Sequence, residues 1–384
     1  MQNVLQNFSG GWKLQVRGKL TIRSDDADKL TLINRMKMAF SGSTYRFRAA
    51  CWCLAVLVLI EILLRGTTFW FNGKYAYTIE MGSRPAQGSR VLYGQEGFGI
   101  THYSGFGEIA TPYAGGSNNI VVMGNSYAEG LNVNDTDKFV SVAETILRRD
   151  GFDVDLRNIG RSGQTIVDQI YLAPYVIEQY HPLIVVIQAT VRAFERTAEF
   201  VKGDSNQLVI SNDGRILVRH QPEPDRDNAV RAIGEFFSIL DYGRTRFKQI
   251  RSQALKSPGQ NPDYAVASVY PVSKDIVMHK VLNKLREAFG SLDLVIVLIP
   301  PIPEVHNNRL TEPDFTQYQM IKQDLESIPN VHVVDPSAEF LISFRNHRPP
   351  SGFLNTIPGT GHVNAVGHQI IGENLAKILE RLIK

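Results

Sequence analysis

The sequence predicts an α/β protein built on a doubly wound parallel sheet flanked by helices, and three observations carry that reading. Short apolar runs recur from Ile120 onward, and stretches with helical periodicity lie between them. Strands buried on both faces read as unbroken apolar runs, and strands alternating with helices build parallel sheets. The first two strand ends lead into glycine-bearing turns, at Gly124 and at Gly160 and Gly163. With 384 residues the chain has room for one large domain and an appendage.

In chain order, Ile120–Met123 reads as a strand and Asp135–Arg149 as a helix. Asp153–Asn158 is a second strand, Ile166–Tyr180 a helix and Leu183–Gln188 a third strand. The rhythm then breaks. Leu208–Val218 holds two alternating runs joined by Asn212-Asp213-Gly214, a strong hairpin signal. A helical region over 229–255 follows, and together these form an insertion at about 203–272, a cap or an edge subdomain. The alternation resumes with helix Ser273–Phe289, strand Leu292–Ile299, helix Asp314–Ser327, strand Val331–Val334 and helix Ala365–Ile383. The domain therefore covers 119–384, and residues 72–118, rich in Gly, Ser and Tyr, read as a lead-in packing on its edge.

Ahead of this lies an apolar run, Ala49–Leu64, broken only by Glu61. Its sixteen residues would span about 24 Å as a helix, against a hydrocarbon core of about 30 Å. Phe69-Trp70-Phe71 suits an interfacial aromatic belt, so the anchor is assigned to 49–71. A cleaved signal peptide and a buried core helix are the competing readings. Residues 1–48 carry a net charge of +6, the remainder −3. Arg35, Lys37, Arg46 and Arg48 precede the run while only Arg65 and Lys74 follow it closely, a lopsided flank that favours the anchor and places the tail 1–48 in the cytoplasm, with the large domain outside. The balanced charge of the rest makes no case for nucleic acid. Both cysteines, Cys51 and Cys53, lie in the apolar run, so the large domain has neither a disulfide framework nor a cysteine metal site.

Ser126, in Gly124-Asn125-Ser126, sits at the carboxyl end of the first strand, where open α/β sheets place their ligands. A serine hydroxyl is a poor nucleophile until a neighbouring base takes its proton, and His362, just before the last helix, is the candidate base. The bland alternatives are a turn that merely caps a helix and a structural histidine. Asn364 is suited to cap the final helix and fix the loop carrying His362. His368 falls on the helix and reads as packing. Asp335 reads as a helix cap, and His306, His332 and His347 lack metal-ligand spacing. Trp12, Trp52 and Trp70 lie in or before the anchor region, so none advertises a sugar platform in the main domain.

These blocks resemble the SGNH (GDSL-type) hydrolase family, in particular its membrane-anchored bacterial members, over roughly residues 115–384. The resemblance implies an SGNH/flavodoxin-like fold, with Ser126 as nucleophile and His362 as base. It assigns the oxyanion hole to the backbone N–H groups of Ser126 and Gly163. The family's third block presents an Asn donor; this chain has Gln188-Ala189-Thr190 there, leaving Gln188 or Thr190 as substitutes, with Arg192 adding charge. The Asp that orients the family's histidine falls at Gly359, so a backbone carbonyl or Thr360 is left for that role. The implied activity is acyl-ester hydrolysis outside the cytoplasm, at the bacterial inner membrane, on O-acyl groups of cell-envelope carbohydrate or a small ester. No metal or organic cofactor is implied. Two other functions remain open: O-acyl transfer to polysaccharide, with the insertion as a water-excluding lid, and a catalytically weak binding or assembly protein.

Overall fold

The computed structural model describes residues 45–64, 69–113, 115–198, 206–210, 216–220, 274–302, 304–306, 309–311, 313–356 and 361–384. Five parallel strands form the central sheet: β1 (Asn118–Met123), β2 (Val154–Asn158), β3 (Ile184–Thr190), β4 (Asp293–Ile299) and β5 (Val331–Val334). Their order is β2-β1-β3-β4-β5. The chain thus reverses direction across the sheet between β1 and β3, which opens a crevice at their carboxyl ends.

Side chains alternate across each strand, so one apolar run feeds two cores. Val121, Met123, Val185, Ile187, Ile296 and Leu298 pack against α2 (Ile166–Tyr180), α3 (Val191–Ala198), α4 (Lys274–Ala288) and α5 (Thr316–Glu326). Ile120, Val122, Val186, Val295 and Val297 pack on the other face. There α1 (Phe139–Arg149), α6 (Ser337–Arg345) and α7 (Ala365–Ile383) supply Phe139, Leu147, Phe340, Ile371 and Leu375. The doubly wound architecture is therefore present.

Boundaries shift by a few residues. The helix expected from Asp135 begins with a 3₁₀ turn, Asp135–Asp137, and turns α-helical at Phe139. α2, β5 and α7 begin and end where their periodicity predicts. Antiparallel strands Asn206–Ile210 and Ile216–His220 form the expected hairpin. It docks on α2: Asn206 Nδ2 donates to Asp168 Oδ1 at 2.8 Å, and the His220 ring stacks on Tyr171. The hairpin's turn and the helix expected over 229–255 lie outside the described residues.

The N-terminal third departs from expectation at the aromatic trio. The apolar helix runs Tyr45–Leu64, and its twenty residues are long and apolar enough to cross a membrane. Their length is about 30 Å. The aromatic trio is not part of that helix. Phe69–Asn72 is a strand paired antiparallel with Arg90–Tyr93, which pairs in turn with Gly99–His102. Aromatic residues favour strands wherever a partner strand is present. The lead-in lies with the sheet in one compact unit, Glu61–Lys384. Ile109 N–H donates to Asn158 O at 2.8 Å, and the buried Arg84 donates through Nη1 to Ile159 O at 3.1 Å.

Candidate active site

β1 delivers Ser126 by ending in a turn that only small residues can make. Gly124 has φ +156°, and a Cβ there would lie 2.8 Å from the Gln188 side chain and from Ala128 Cβ. Asn125 follows as a helix N-cap, its Oδ1 accepting the Tyr127 N–H at 3.1 Å, and Ser126 opens the short helix Ser126–Glu129. At the other end of the chain, Asn364 caps α7 by accepting the N–H groups of Val366 and Gly367. Its Nδ2 donates to Pro349 O and Gly352 O at 2.8 and 2.9 Å. The loop bearing His362 is thereby fixed from both sides.

These two segments meet. Ser126 Oγ and His362 Nε2 are 2.8 Å apart. A third group completes the chain: His362 Nδ1 lies 2.5 Å from Glu96 Oε2, and the His362 backbone N–H donates to Glu96 Oε1 at 2.6 Å. An ionised carboxylate only accepts, so the ring proton sits on Nδ1 and leaves Nε2 free to accept from the serine hydroxyl. Burial by itself would raise the Glu96 pKa. The His362 side-chain and backbone hydrogen bonds and the imidazole charge outweigh that effect and hold it below the usual carboxylate value. The His362 side chain is 32% exposed and that of Glu96 17%, so the arrangement opens to solvent on the imidazole side. The Tyr127 ring packs against His362 with centroids 5.1 Å apart, and burial followed by the Glu96 charge pushes its phenol up to about 12.

Glu96 was not among the residues singled out in the sequence. It sits in Gly94-Gln95-Glu96-Gly97, inside the lead-in, 266 residues from His362. The one local signal is the density of glycine. Gly97 has φ +74°, and a Cβ there would meet Asn132 O at 2.5 Å. Asn355 clamps the loop, donating to Gly94 O and Gly97 O and accepting the Gly97 N–H at 2.8 Å. Asn132 Nδ2 adds a bond to Glu96 O at 3.0 Å. Gly361 matters for the same reason. With φ +84°, it leaves room where a Cβ would collide with the Glu96 carboxylate. Gly359 and Thr360, where an orienting group was expected, lie outside the described residues.

The expected oxyanion residues divide. Ser126 N and Gly163 N have no hydrogen-bond partner among the described residues. Gly163 has φ +89° and open space on its Cβ side, so glycine is required there by backbone conformation rather than by close approach. The close approach belongs to Gly160, where a Cβ would lie 2.6 Å from Ala128 Cβ. Gln188 is fully buried and its Oε1 accepts the Asn125 N–H at 3.2 Å. Its oxygen thus supports the nucleophile turn, while its Nε2 has no hydrogen-bond partner among the described residues. Thr190 Oγ1 accepts the Ala193 N–H at 3.2 Å, capping α3, the helix that also carries Arg192. Each oxygen accepts a backbone N–H left free where a strand turns into a helix, Gln188 at the end of β1 and Thr190 at the end of its own strand.

The bland readings of other residues find concrete partners. His368 is buried, stacks on Phe139 and accepts the Phe139 N–H through Nδ1 at 3.2 Å. Burial, then the charges of Lys138 and His362, push its pKa down to about 3. Asp335 accepts from Ser337 N–H at 3.0 Å, from Tyr318 at 2.6 Å and from Lys322 at 2.8 Å.

Fold and geometry together define a doubly wound α/β protein with a hydrogen-bonded Ser–His–Glu chain at the carboxyl edge of its sheet. No family model and no curated protein matches the sequence. Among solved structures, the chain is similar to a member of the lipolytic protein G-D-S-L family from Veillonella parvula. Identity is 12%, coverage 69% of this chain and 100% of that one, and the TM-score 0.38. A family 3 carbohydrate esterase from Clostridium thermocellum matches at 14% identity over 69% of this chain and 97% of that one, TM-score 0.36. The α/β hydrolase LAE5 from the metagenome of Lake Arreo, Spain, matches at 14% identity over 70% and 98%, TM-score 0.38.

Proposed function

We propose that the protein is a serine-dependent acyl-ester hydrolase with Ser126 as nucleophile, His362 as general base and acid, and Glu96 as the group that orients and charges the imidazole. The observation that carries this reading is the unbroken chain Ser126 Oγ–His362 Nε2 at 2.8 Å and His362 Nδ1–Glu96 Oε2 at 2.5 Å. As Oγ bonds to the ester carbonyl carbon, its proton passes to Nε2, and Glu96 stabilises the imidazolium that forms. The tetrahedral oxyanion is held by the N–H groups of Ser126 and Gly163. Collapse expels the alcohol, which takes the proton from Nε2. Water then attacks the acyl-enzyme by the same route, giving up a proton to His362, and the acid departs as Ser126 is reprotonated.

The domain acts outside the cytoplasm, tethered by Tyr45–Leu64 to the bacterial inner membrane with the basic tail inside. Its substrates are O-acyl groups of cell-envelope carbohydrate. The charge asymmetry across the apolar helix supports the orientation, and a membrane tether suits a substrate that is itself part of the envelope.

A fluorophosphonate probe tests the chemistry: wild-type protein is labelled at Ser126, and Ser126→Ala is not. Wild-type protein that resists the probe sinks the reading. That result would favour a catalytically weak binding protein, a reading supported by the backbone N–H groups that Gln188 and Thr190 accept.

A further inference from the structure

Glu129 lies three residues after Ser126, at the end of the same short helix, and is 8% exposed. It takes no part in the proton chain. Its Oε2 accepts the backbone N–H of Ser162 at 2.8 Å and also the Ser162 hydroxyl, while Oε1 accepts from Tyr103 OH at 3.3 Å. Ser162 is the residue immediately before Gly163. One carboxylate therefore joins the segment that carries the nucleophile to the segment that carries the second oxyanion amide.

That joint has a physical purpose. Gly163 sits at φ +89° with nothing within 4 Å of its Cβ position, so no neighbour packs on that side of the residue. Glycine is also the residue with the most backbone freedom. An oxyanion donor is effective only when its direction is set before charge develops. The loop is already tied to the nucleophile turn upstream, by Arg161 N–H to Gly124 O at 2.9 Å and Asn158 Nδ2 to Ala128 O at 2.8 Å. The Glu129–Ser162 pair holds the residue immediately before Gly163 with bonds strengthened by the carboxylate charge, while on the other side Gln164 N–H donates to Arg161 O at 3.2 Å. We infer that Glu129 is a positioning residue for the oxyanion hole, acting through Ser162 on the Gly163 amide. This rests on the proposed Ser126 chemistry.

The test uses the full chain in detergent, turning over p-nitrophenyl acetate, with active enzyme counted by fluorophosphonate titration. Glu129→Leu is expected to lower kcat by roughly ten- to a hundredfold with KM within about twofold, the range below loss of a whole oxyanion donor. Glu129→Gln is expected to restore part of the rate, since an amide oxygen still accepts from Ser162. Ser162→Ala is expected to lower kcat alone and to add little in the Glu129→Leu background, as for residues acting as a unit. Glu144→Gln, a buried carboxyl variant on α1 away from the site, controls for general loosening. An unchanged kcat per active site in Glu129→Leu overturns the inference while Ser126-dependent turnover persists. A loss equal to that of Glu144→Gln overturns it as well. Should Glu129→Leu fail to fold, Ser162→Ala decides: kcat equal to wild type overturns the inference. Turnover that survives Ser126→Ala overturns the triad reading, and the inference with it.

Discussion

Glu96 is where residue-scale physics meets function. Its carboxylate accepts both the ring and the backbone N–H of His362, so Glu96→Gln replaces a charge-assisted acceptor and removes the charge facing the imidazolium. Ester turnover in Glu96→Gln is expected to fall by roughly a hundred- to ten-thousandfold, the range for losing a triad carboxylate, while Ser126 remains present for probe labelling at a reduced rate. The pH dependence of stability has a defined sign. The folded pKa of Glu96 lies below the usual 4.5, so its contribution is fully present above about pH 4.5 and is lost as pH falls through the lowered folded value. Thermal melts of wild type and Glu96→Gln should differ at pH 7 and converge in acid below that point. A gap that stays constant down to pH 3 would contradict the assignment. At this scale Ser126 and His362 were legible, because each sits beside a local signal: a strand end in one case, a helix cap in the other. Glu96 was not, since a carboxylate in a glycine-rich loop carries no mark of the imidazole it will meet.

Among elements, the turns decide the site more than the helices do. Two glycines of one turn separate cleanly. Gly160→Ala would drive a Cβ to 2.6 Å from Ala128 Cβ and 3.0 Å from neighbouring backbone, whereas Gly163→Ala meets open space and only the strain of φ +89°. That strain costs about 1–3 kcal/mol. Gly160→Ala is therefore expected to lower the melting temperature further than Gly163→Ala, and calorimetry of the two variants checks the order. Gly361→Ala combines positive φ with a collision against the Glu96 carboxylate, so it should reduce turnover at least as much as Glu96→Gln. Helices α2 and α7 and strand β5 were readable to the residue because apolar periodicity and caps are local. Gly160 and Gly163 look alike in sequence, because sequence marks a glycine without saying whether φ or a neighbour demands it.

For the molecule as a whole, the lead-in belongs to the working unit. It supplies Glu96 to the hydrogen-bonded Ser126–His362 chain and sends Arg84 to Ile159 and Tyr103 to Glu129 beside the Ser162–Gly163 turn. A chain lacking residues 1–68 should stay in solution without detergent and keep Ser126 labelling. A chain lacking residues 1–110 should lose labelling even where it retains helical circular dichroism. Labelling that survives the longer truncation would show that the lead-in is dispensable. If the proposed anchor Tyr45–Leu64 spans a membrane, carbonate washing should leave the full protein in the pellet.

By itself the sequence determined the parallel sheet, its flanking helices, the apolar span and the two segments that carry Ser126 and His362. All of these follow from short-range periodicity, turn chemistry and capping. Tertiary structure alone decided that the third member of the chain is Glu96, that Gln188 and Thr190 brace backbone, and that Glu129 faces Ser162. Those outcomes depend on contacts between segments tens to hundreds of residues apart, where a side chain's partner is set by how the sheet and its loops close rather than by its neighbours in sequence.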